Sequence, residues 1–585
     1  PDSSDPHFVE LTPSVSRIVL RKGDSTSIHV KARWSDGLSR DVTRWCRYEI
    51  SDEGKDFSSI SDLGRITALE PGRSIIRIRY LKKVAAVDVL VGLETDQQDW
   101  SWQSNNIVDE IVSKTWREVG VAPAKPAADH RFLRRAWLQI LGRIPDEDSA
   151  RKFLTSTRPA RRSELIAELL ARPEFSSHWA EKWTEWLLED RRIGWRSIPR
   201  DLHEKGDRKR LQTWVEEKLN GTEPVPTIVQ GVLTATGSPR DSGAAAFYAG
   251  HTTQKDMARS FGQVFLGVSM RCARCHDHPH AEWGTDEFFG LAAAFKDIRI
   301  HKEKDSPWRV LAVPTRSFGN PRTKTAVAPH AFGNSLETDG QDSRIALADW
   351  LLGDGRMMLA RNIVHRHWVH FFNQPLTDWV DDLMLSSAER HPGLLDALAR
   401  DLIEHDFDTR PLIRTLCESR VYQLESTRTH KDEWFGSRFT IARQSTRQTF
   451  RSVQIAADSR LGNEDELTSP PGRALTESDV ECSRGQYRTH GGLISYLHMM
   501  GTNNLMAVIR DPNGIVAHLV ASDATVEEVT RRLYFRILHR EPTDEEQTEL
   551  AKYFREASAK GGKRAEFIED VFWALVNSRE FVLIE

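Results

Sequence analysis

Apolar and polar residues alternate along the first ninety or so positions. In "SRIVLRKGDSTSIHVKARWSDG" (16–37) and again in "LGRITALEPGRSIIRIRYLKKVAAVDVLVG" (63–92) apolar and polar residues alternate, and "RKGD" and "SDG" supply turns between the runs. This period of two predicts about seven short strands packed as a β-sandwich. A polar connector, "LETDQQDWSWQS" (93–104), separates them from the rest of the chain. Beyond it the period changes to that of amphipathic helices. "NIVDEIVSKTWREVG", "DHRFLRRAWLQILGRI", "DEDSARKFLTS", "RRSELIAELLARPEF", "HWAEKWTEWLLED" and "KRLQTWVEEKL" carry apolar stripes with polar starts and Gly or Pro stops.

Residues 303–345 lose all periodicity and predict a long loop. Helices resume with "RIALADWLLGD", "RMMLARNIVHRHWVHFFN" and "HPGLLDALARDLIEHDF", and a second irregular region is expected over about 460–488. The chain closes on a helix pair, with "PTDEE" marking the start of the second member. The expected architecture is multi-domain: an all-β Ig-like sandwich over 1–92, a linker over 93–104, a helical domain over 105–302, the loop over 303–345 and a second helical domain over 346–585.

Composition narrows the function classes. With 81 Lys and Arg against 85 Asp and Glu the net charge is -4, which gives no basic footprint for nucleic acid. The basic run at 189–210 is interrupted by acidic residues and reads as a solvated surface. No stretch approaches a membrane span, so an integral membrane protein is not expected. Eighteen tryptophans read as large helix-core residues. Five cysteines form no disulfide framework, and Cys46, Cys417 and Cys482 stand alone as buried small hydrophobes. The opening "PDSSDPHFVE" is not one a start codon gives, and an export signal is expected ahead of it. No P-loop, G-x-S-x-G or H-E-x-x-H is present.

The chemistry concentrates in "RCARCHDHPHAEW" (271–283), at the end of a helix that is apolar for several turns. Cys272, Cys275 and His276 spell C-x-x-C-H, the attachment motif for c-type haem. Two thiols three apart on a turn reach the two vinyl groups of one porphyrin, and the next residue brings an imidazole under the iron. This composition gives roughly 0.002 such pentapeptides by chance, so accident is a poor explanation. Two rivals stay open. Cys272 and Cys275 with His278 and His280 could form a cramped zinc or non-haem iron site, and the two thiols could form a redox pair.

Further donors lie downstream. His365, His367 and His370 share one helix, with His367 and His370 three apart on one face. They read either as a metal or distal haem ligand set or as hydrogen-bonded packing histidines. "LHMMGTNNLM" offers His498, Met499 and Met500, either core residues or a second axial ligand. His391, before Pro392 at a helix start, reads as a cap.

"FLGVSMRCARCHDHPHAEWGTDEFFGLAAAF", with the upstream "FLRRAWLQILGRIPDEDSARKFL", "RRSELIAELLARPEFSSHWAEKWTEWLL" and "LTATGS" followed by "AFY", resembles the planctomycete-type cytochrome-like domain, a bacterial family of unknown function. "ARNIVHRHWVHFFNQPLTDWVDDL", "RHPGLLDALARDLIEHDFDTRPLIRTLCESRVYQLES" and "LHMMGTNNLM" resemble its usual companion domain. The likeness spans about residues 105 to 555, with Gln139 where the family often has Asp and Gly501 interrupting a usual "LMN". "WSDGLSRDVT", "GRITALEPGRSIIRI" and "VDVLVG" resemble the bacterial Ig-like domains of group 2, which implies a spacer or adhesion module.

The expectation is a secreted or periplasmic protein with one covalent haem c on Cys272 and Cys275 and His276 as proximal ligand. It would serve electron transfer or haem redox chemistry with a partner protein. The alternatives are a zinc or non-haem iron hydrolase acting on polysaccharide, and a structural component of a cell-surface assembly.

Overall fold

The computed structural model describes all residues except 1–5, 52–53, 82, 94–99, 189–205, 222, 252, 271–272, 276–282, 302–307, 314–316, 321–322, 339, 378–382, 384–388, 427–434 and 462–502. Residues 8–92 are all β, and a mostly helical body comes after them.

The β region has ten described strands: β1 Phe8–Pro13, β2 Arg17–Arg21, β3 Ser25–Ser27, β4 Val30–Trp34, β5 Ser39–Asp41, β6 Arg47–Ile50, β7 Ser58–Ile60, β8 Arg65–Ala68, β9 Gly72–Tyr80 and β10 Lys83–Gly92. They form sheets ordered β1-β4-β5, β2-β10-β9-β6 and β3-β8-β7. Alternation sends Leu11, Val30, Ala32, Ile66, Ile76, Ile78, Val87 and Val89 into one shared core. Gly64 closes the β7–β8 turn at φ +77, where a Cβ would lie 2.8 Å from the Ile28 carbonyl. Outside that core, Arg73 and Asp88 form a buried ion pair at 2.7 Å.

The described helices are α1 Ile107–Val119, α2 Asp129–Leu141, α3 Glu147–Leu154, α4 Arg161–Ala171, α5 Glu174–Leu187, α6 Asp207–Asn220, α7 Val225–Leu233, α8 Gln254–Phe261, α9 Thr285–Ala293, α10 Ser343–Leu352, α11 Arg356–Phe372, α12 Leu394–Glu404, α13 Thr409–Glu418, α14 Thr446–Ala457, α15 Asn503–Ile509, α16 Ile515–Ala521, α17 Val526–Leu538, α18 Asp544–Ala559, α19 Arg564–Val576 and α20 Arg579–Val582. The expected loop over 303–345 is not featureless. Within it Arg309–Ala312 pairs with Ile298–His301, two two-residue ribbons come next, and α10 already begins at Ser343. Strands this short carry too few residues for a period of two to show. Most of the second irregular region, about 460–488, lies outside the described residues, as does most of the basic run at 189–210.

The chain divides into two compact units, each built from separated segments. One comprises Pro1–Pro123, Trp179–Val421 and Arg428–Ser437, the other Ala124–His178, Tyr422–Thr427 and Arg438–Glu585. In the first, the β region and α1 are joined by Arg21, whose guanidinium donates to the carbonyls of Leu93 (2.7 Å) and Val119 (3.1 Å). The second of these is one of the carbonyls that the end of α1 leaves without a partner inside the helix. The Leu93 amide meets it as well, at 3.0 Å. Trp116 of α1 donates its indole N–H to the Phe435 carbonyl at 2.7 Å. Arg344 is fully buried and donates to the carbonyls of Leu233 (3.0 Å) and Ala235 (2.8 Å), closing the end of α7 while Asp342 balances its charge at 2.7 Å.

In the second unit α2 carries two adjacent buried arginines. Arg134 donates to the carbonyls of Ile537 (2.7 Å) and Phe581 (3.1 Å), and Arg135 to those of Glu585 (2.9 Å), Leu424 (3.0 Å) and Tyr422. Gln139, one turn on from Arg135, accepts the Tyr422 hydroxyl at 2.8 Å. The expected helix pair near the end of the chain is present as α17 and α18, with Thr543 and Glu546 forming the capping box at "PTDEE".

The cap expected of His391 is a correction. The N-cap of α12 is Gly393, whose N–H is accepted by Glu389 at 2.9 Å, while the His391 ring faces the Thr115 hydroxyl of α1 at 3.2 Å. A histidine two residues ahead of the N-cap is too far back for its ring to meet the N2 or N3 amides, and burial against α1 takes it instead. Cys46 and Cys417 are buried as expected; Cys482 lies outside the described residues.

Candidate functional site

The C-x-x-C-H segment is approached by α8, which starts on a capping box between Thr253 and Asp256. The helix does not run into the motif. It widens into a single π turn over Gly262–Leu266 and stops at Gly267, which has φ +63. Both glycines are required by the close fit. A Cβ on Gly262 would lie 3.0 Å from the Val268 carbonyl, and one on Gly267 would lie 2.9 Å from Asn362 Oδ1. Val268, Met270 and Ala273 are then buried, and Cys275 is exposed on a turn.

Cys272, His276, His278 and His280 lie outside the described residues, as do His498, Met499 and Met500. Of the expected site residues the structure describes Cys275, His367 and His370. Cys275 is the one exposed thiol among the described cysteines, which suits it to thioether formation in a way that the buried Cys46 and Cys417 are not. On that observation the described part of the motif fits a c-type haem.

α11 is buried on nearly all sides, and its histidines occupy different surroundings. His367 is fully buried, with Nδ1 2.7 Å from the Ile363 carbonyl. That contact makes Nδ1 the protonated nitrogen and leaves the lone pair on Nε2. The ring stacks on Trp179 with centres 4.8 Å apart, and Trp186 meets it edge-on at 5.2 Å. Burial pushes its pKa down to about 4, against a smaller opposing effect of the Ile363 bond, so the ring is neutral at pH 7. His370 is half-buried and meets the same Trp179 ring edge-on at 5.3 Å. The two histidines are thus brought together on one indole. His365 is fully buried on another side of the helix, pushed down to about 3 by burial and by Arg366 and Arg390. Among the described residues, no group of three or more His, Cys, Asp or Glu side chains is placed to hold a metal ion.

Two residues that sequence reasoning passed over complete this region. Asn362 and Arg366 of α11, both buried, donate to carbonyls of the π turn that precedes the motif. The signal available in the sequence was the pair of glycines in "GQVFLG", spaced to bracket that turn.

Comparison with known proteins finds two families along this part of the chain. Residues 107–300 match PSCyt2, a protein of unknown function (DUF1549). Residues 343–466 match PSD1, a protein of unknown function (DUF1553). The C-x-x-C-H segment falls inside the first match and α11 inside the second. No curated protein matches the chain. Among solved structures, domains 1–6 of surface layer protein SbsC align at 16% identity over 18% of this chain and 15% of that one, with a TM-score of 0.13. No helix among the described residues is long and apolar enough to cross a membrane.

Proposed function

We propose that the protein is a c-type haem protein of the periplasm or cell exterior, working in electron transfer or haem-based redox chemistry. One haem would be held by thioether bonds to Cys272 and Cys275, with His276 as proximal ligand. The observation that carries this reading is the C-x-x-C-H spacing, supported by the exposure of Cys275 on a turn beyond Gly267. When bound, haem supplies a one-electron couple whose potential follows its axial ligands and surroundings. The protein's own part would be to present two thiols three residues apart, with the buried Val268, Met270 and Ala273 on the approach. The partner would be a redox protein.

The test is expression of the full chain behind an export signal, with and without a cytochrome c maturation system. With it, a pyridine haemochrome spectrum and a mass increase that survives acidified-acetone extraction are expected. Without it, the protein should be colourless. Exported protein with free thiols at Cys272 and Cys275 and no covalent haem overturns the proposal. Stoichiometric zinc or iron in such a sample would instead point to a Cys and His metal site and to assays on polysaccharide. Metal-free protein would point to a structural role at the cell surface.

A further inference from the structure

The backbone leading into the motif is held by side chains from a distant helix. A π turn takes its carbonyls off the regular α ladder, and such turns recur at functional sites. Here the Gly267 amide reaches back to the Gly262 carbonyl, and the Val268 amide meets the same oxygen at 2.9 Å. The Val264 carbonyl is taken by Asn362 Nδ2 at 2.7 Å, and the Gln263 carbonyl by Arg366 Nη2 at 3.3 Å. Arg366 Nε donates in turn to Asn362 Oδ1 at 3.2 Å, so the two side chains brace one another. Leu383 adds a backbone bond, its N–H meeting the Gly267 carbonyl at 2.7 Å.

Packing two helices together does not need this. Apolar contacts would serve, and a buried guanidinium carries a desolvation cost that apolar contacts avoid. What the polar clasp adds is direction. Gly267 is where the chain turns out of α8, and Asn362 Oδ1 fills the space a Cβ at Gly267 would need. The turn therefore fixes the heading of Val268–Met270 against α11.

We infer that Asn362 and Arg366 are positioning residues for the C-x-x-C-H segment, setting the pose in which it carries its ligand group. The inference rests on the haem reading above.

The experiment uses the full chain, exported and loaded, as wild type and as Asn362→Leu, the milder Asn362→Ser, Arg366→Gln and Arg366→Lys. Hydrogen exchange is measured on the same proteins made without haem. All variants should attach haem, because thioether formation uses the motif itself. Asn362→Leu and Asn362→Ser should alter the low-temperature EPR g-values. Arg366→Gln should alter the g-values in the same way, and Arg366→Lys, which can still donate, should restore most of the wild-type spectrum. In unloaded protein the Val268 amide should exchange roughly tenfold faster in the Asn362 variants, the change that loss of about one hydrogen bond in a local opening gives. Loaded variants with wild-type EPR spectra overturn the positioning role while leaving the haem reading intact. A wild-type protein without covalent haem overturns both. Unchanged exchange at Val268 shows that the clasp itself is absent, whatever the haem content.

Discussion

His391 turns its imidazole toward the hydroxyl of Thr115 at 3.2 Å, tying the segment before α12 to α1. The ring is fully buried, and burial, followed by Arg390, Arg17 and Arg73, pushes its pKa down to about 3. The unfolded state therefore binds the proton more readily than the folded one. This contribution to stability is fully present above the ordinary imidazole value of 6.5 and is lost as pH falls from there toward about 3. Each tenfold difference in proton affinity is worth about 1.4 kcal/mol. His365, pushed down to about 3, acts in the same direction. The urea midpoint should fall steeply as the medium is acidified through that window, and His391→Phe should reduce the slope. A slope identical to wild type would show that His391 is not buried as neutral imidazole.

Arg344 predicts a large stability loss from a single change. Its guanidinium is fully buried on the carbonyls of Leu233 and Ala235 and paired with Asp342. Arg344→Met leaves those carbonyls and the Asp342 carboxylate without their partner and should cost about 3–5 kcal/mol. Arg309→Ala removes an exposed pair with Asp241 and should barely move the midpoint, because water screens both charges. Denaturant unfolding of the full chain measures both.

Two glycines separate strain from collision. Gly267 and Gly393 both sit at positive φ, +63 and +83, but only Gly267 has atoms within 4 Å of an added Cβ. Gly393→Ala should cost about 1 kcal/mol, the left-handed backbone alone. Gly267→Ala should cost clearly more, since the added methyl must displace Asn362. Equal midpoints for the two variants would contradict the close approach.

Tyr422→Phe tests the second unit. The hydroxyl donates to Gln139 at 2.8 Å in a buried setting, and its removal should lower the stability measured by denaturant unfolding by about 1–2 kcal/mol.

The change from a period of two to a helical period was legible because each arises from one face meeting a core, as at Val30 and Ala32 or along α1. The ribbons within 303–345 were not, because two-residue strands have no period to read. The motif at 272–276 was visible as spacing alone. Its support was invisible, because Asn362 and Arg366 lie about a hundred positions away and read as ordinary polar residues of a helix. His391 misled for the same reason: proximity to a helix start suggested a cap, while the partner, Thr115, lies 276 residues earlier.

The division of both units into separated segments sets a timetable for synthesis. When α2 leaves the ribosome, the carbonyls of Ile537, Phe581 and Glu585 that will receive Arg134 and Arg135 do not yet exist. Contacts closed over such spans are slow and come last. The second unit therefore cannot be completed before Glu585 has been made, and its first helices must be kept from aggregating until then. A chain that has to be threaded unfolded through a translocase would be helped, not hindered, by that delay.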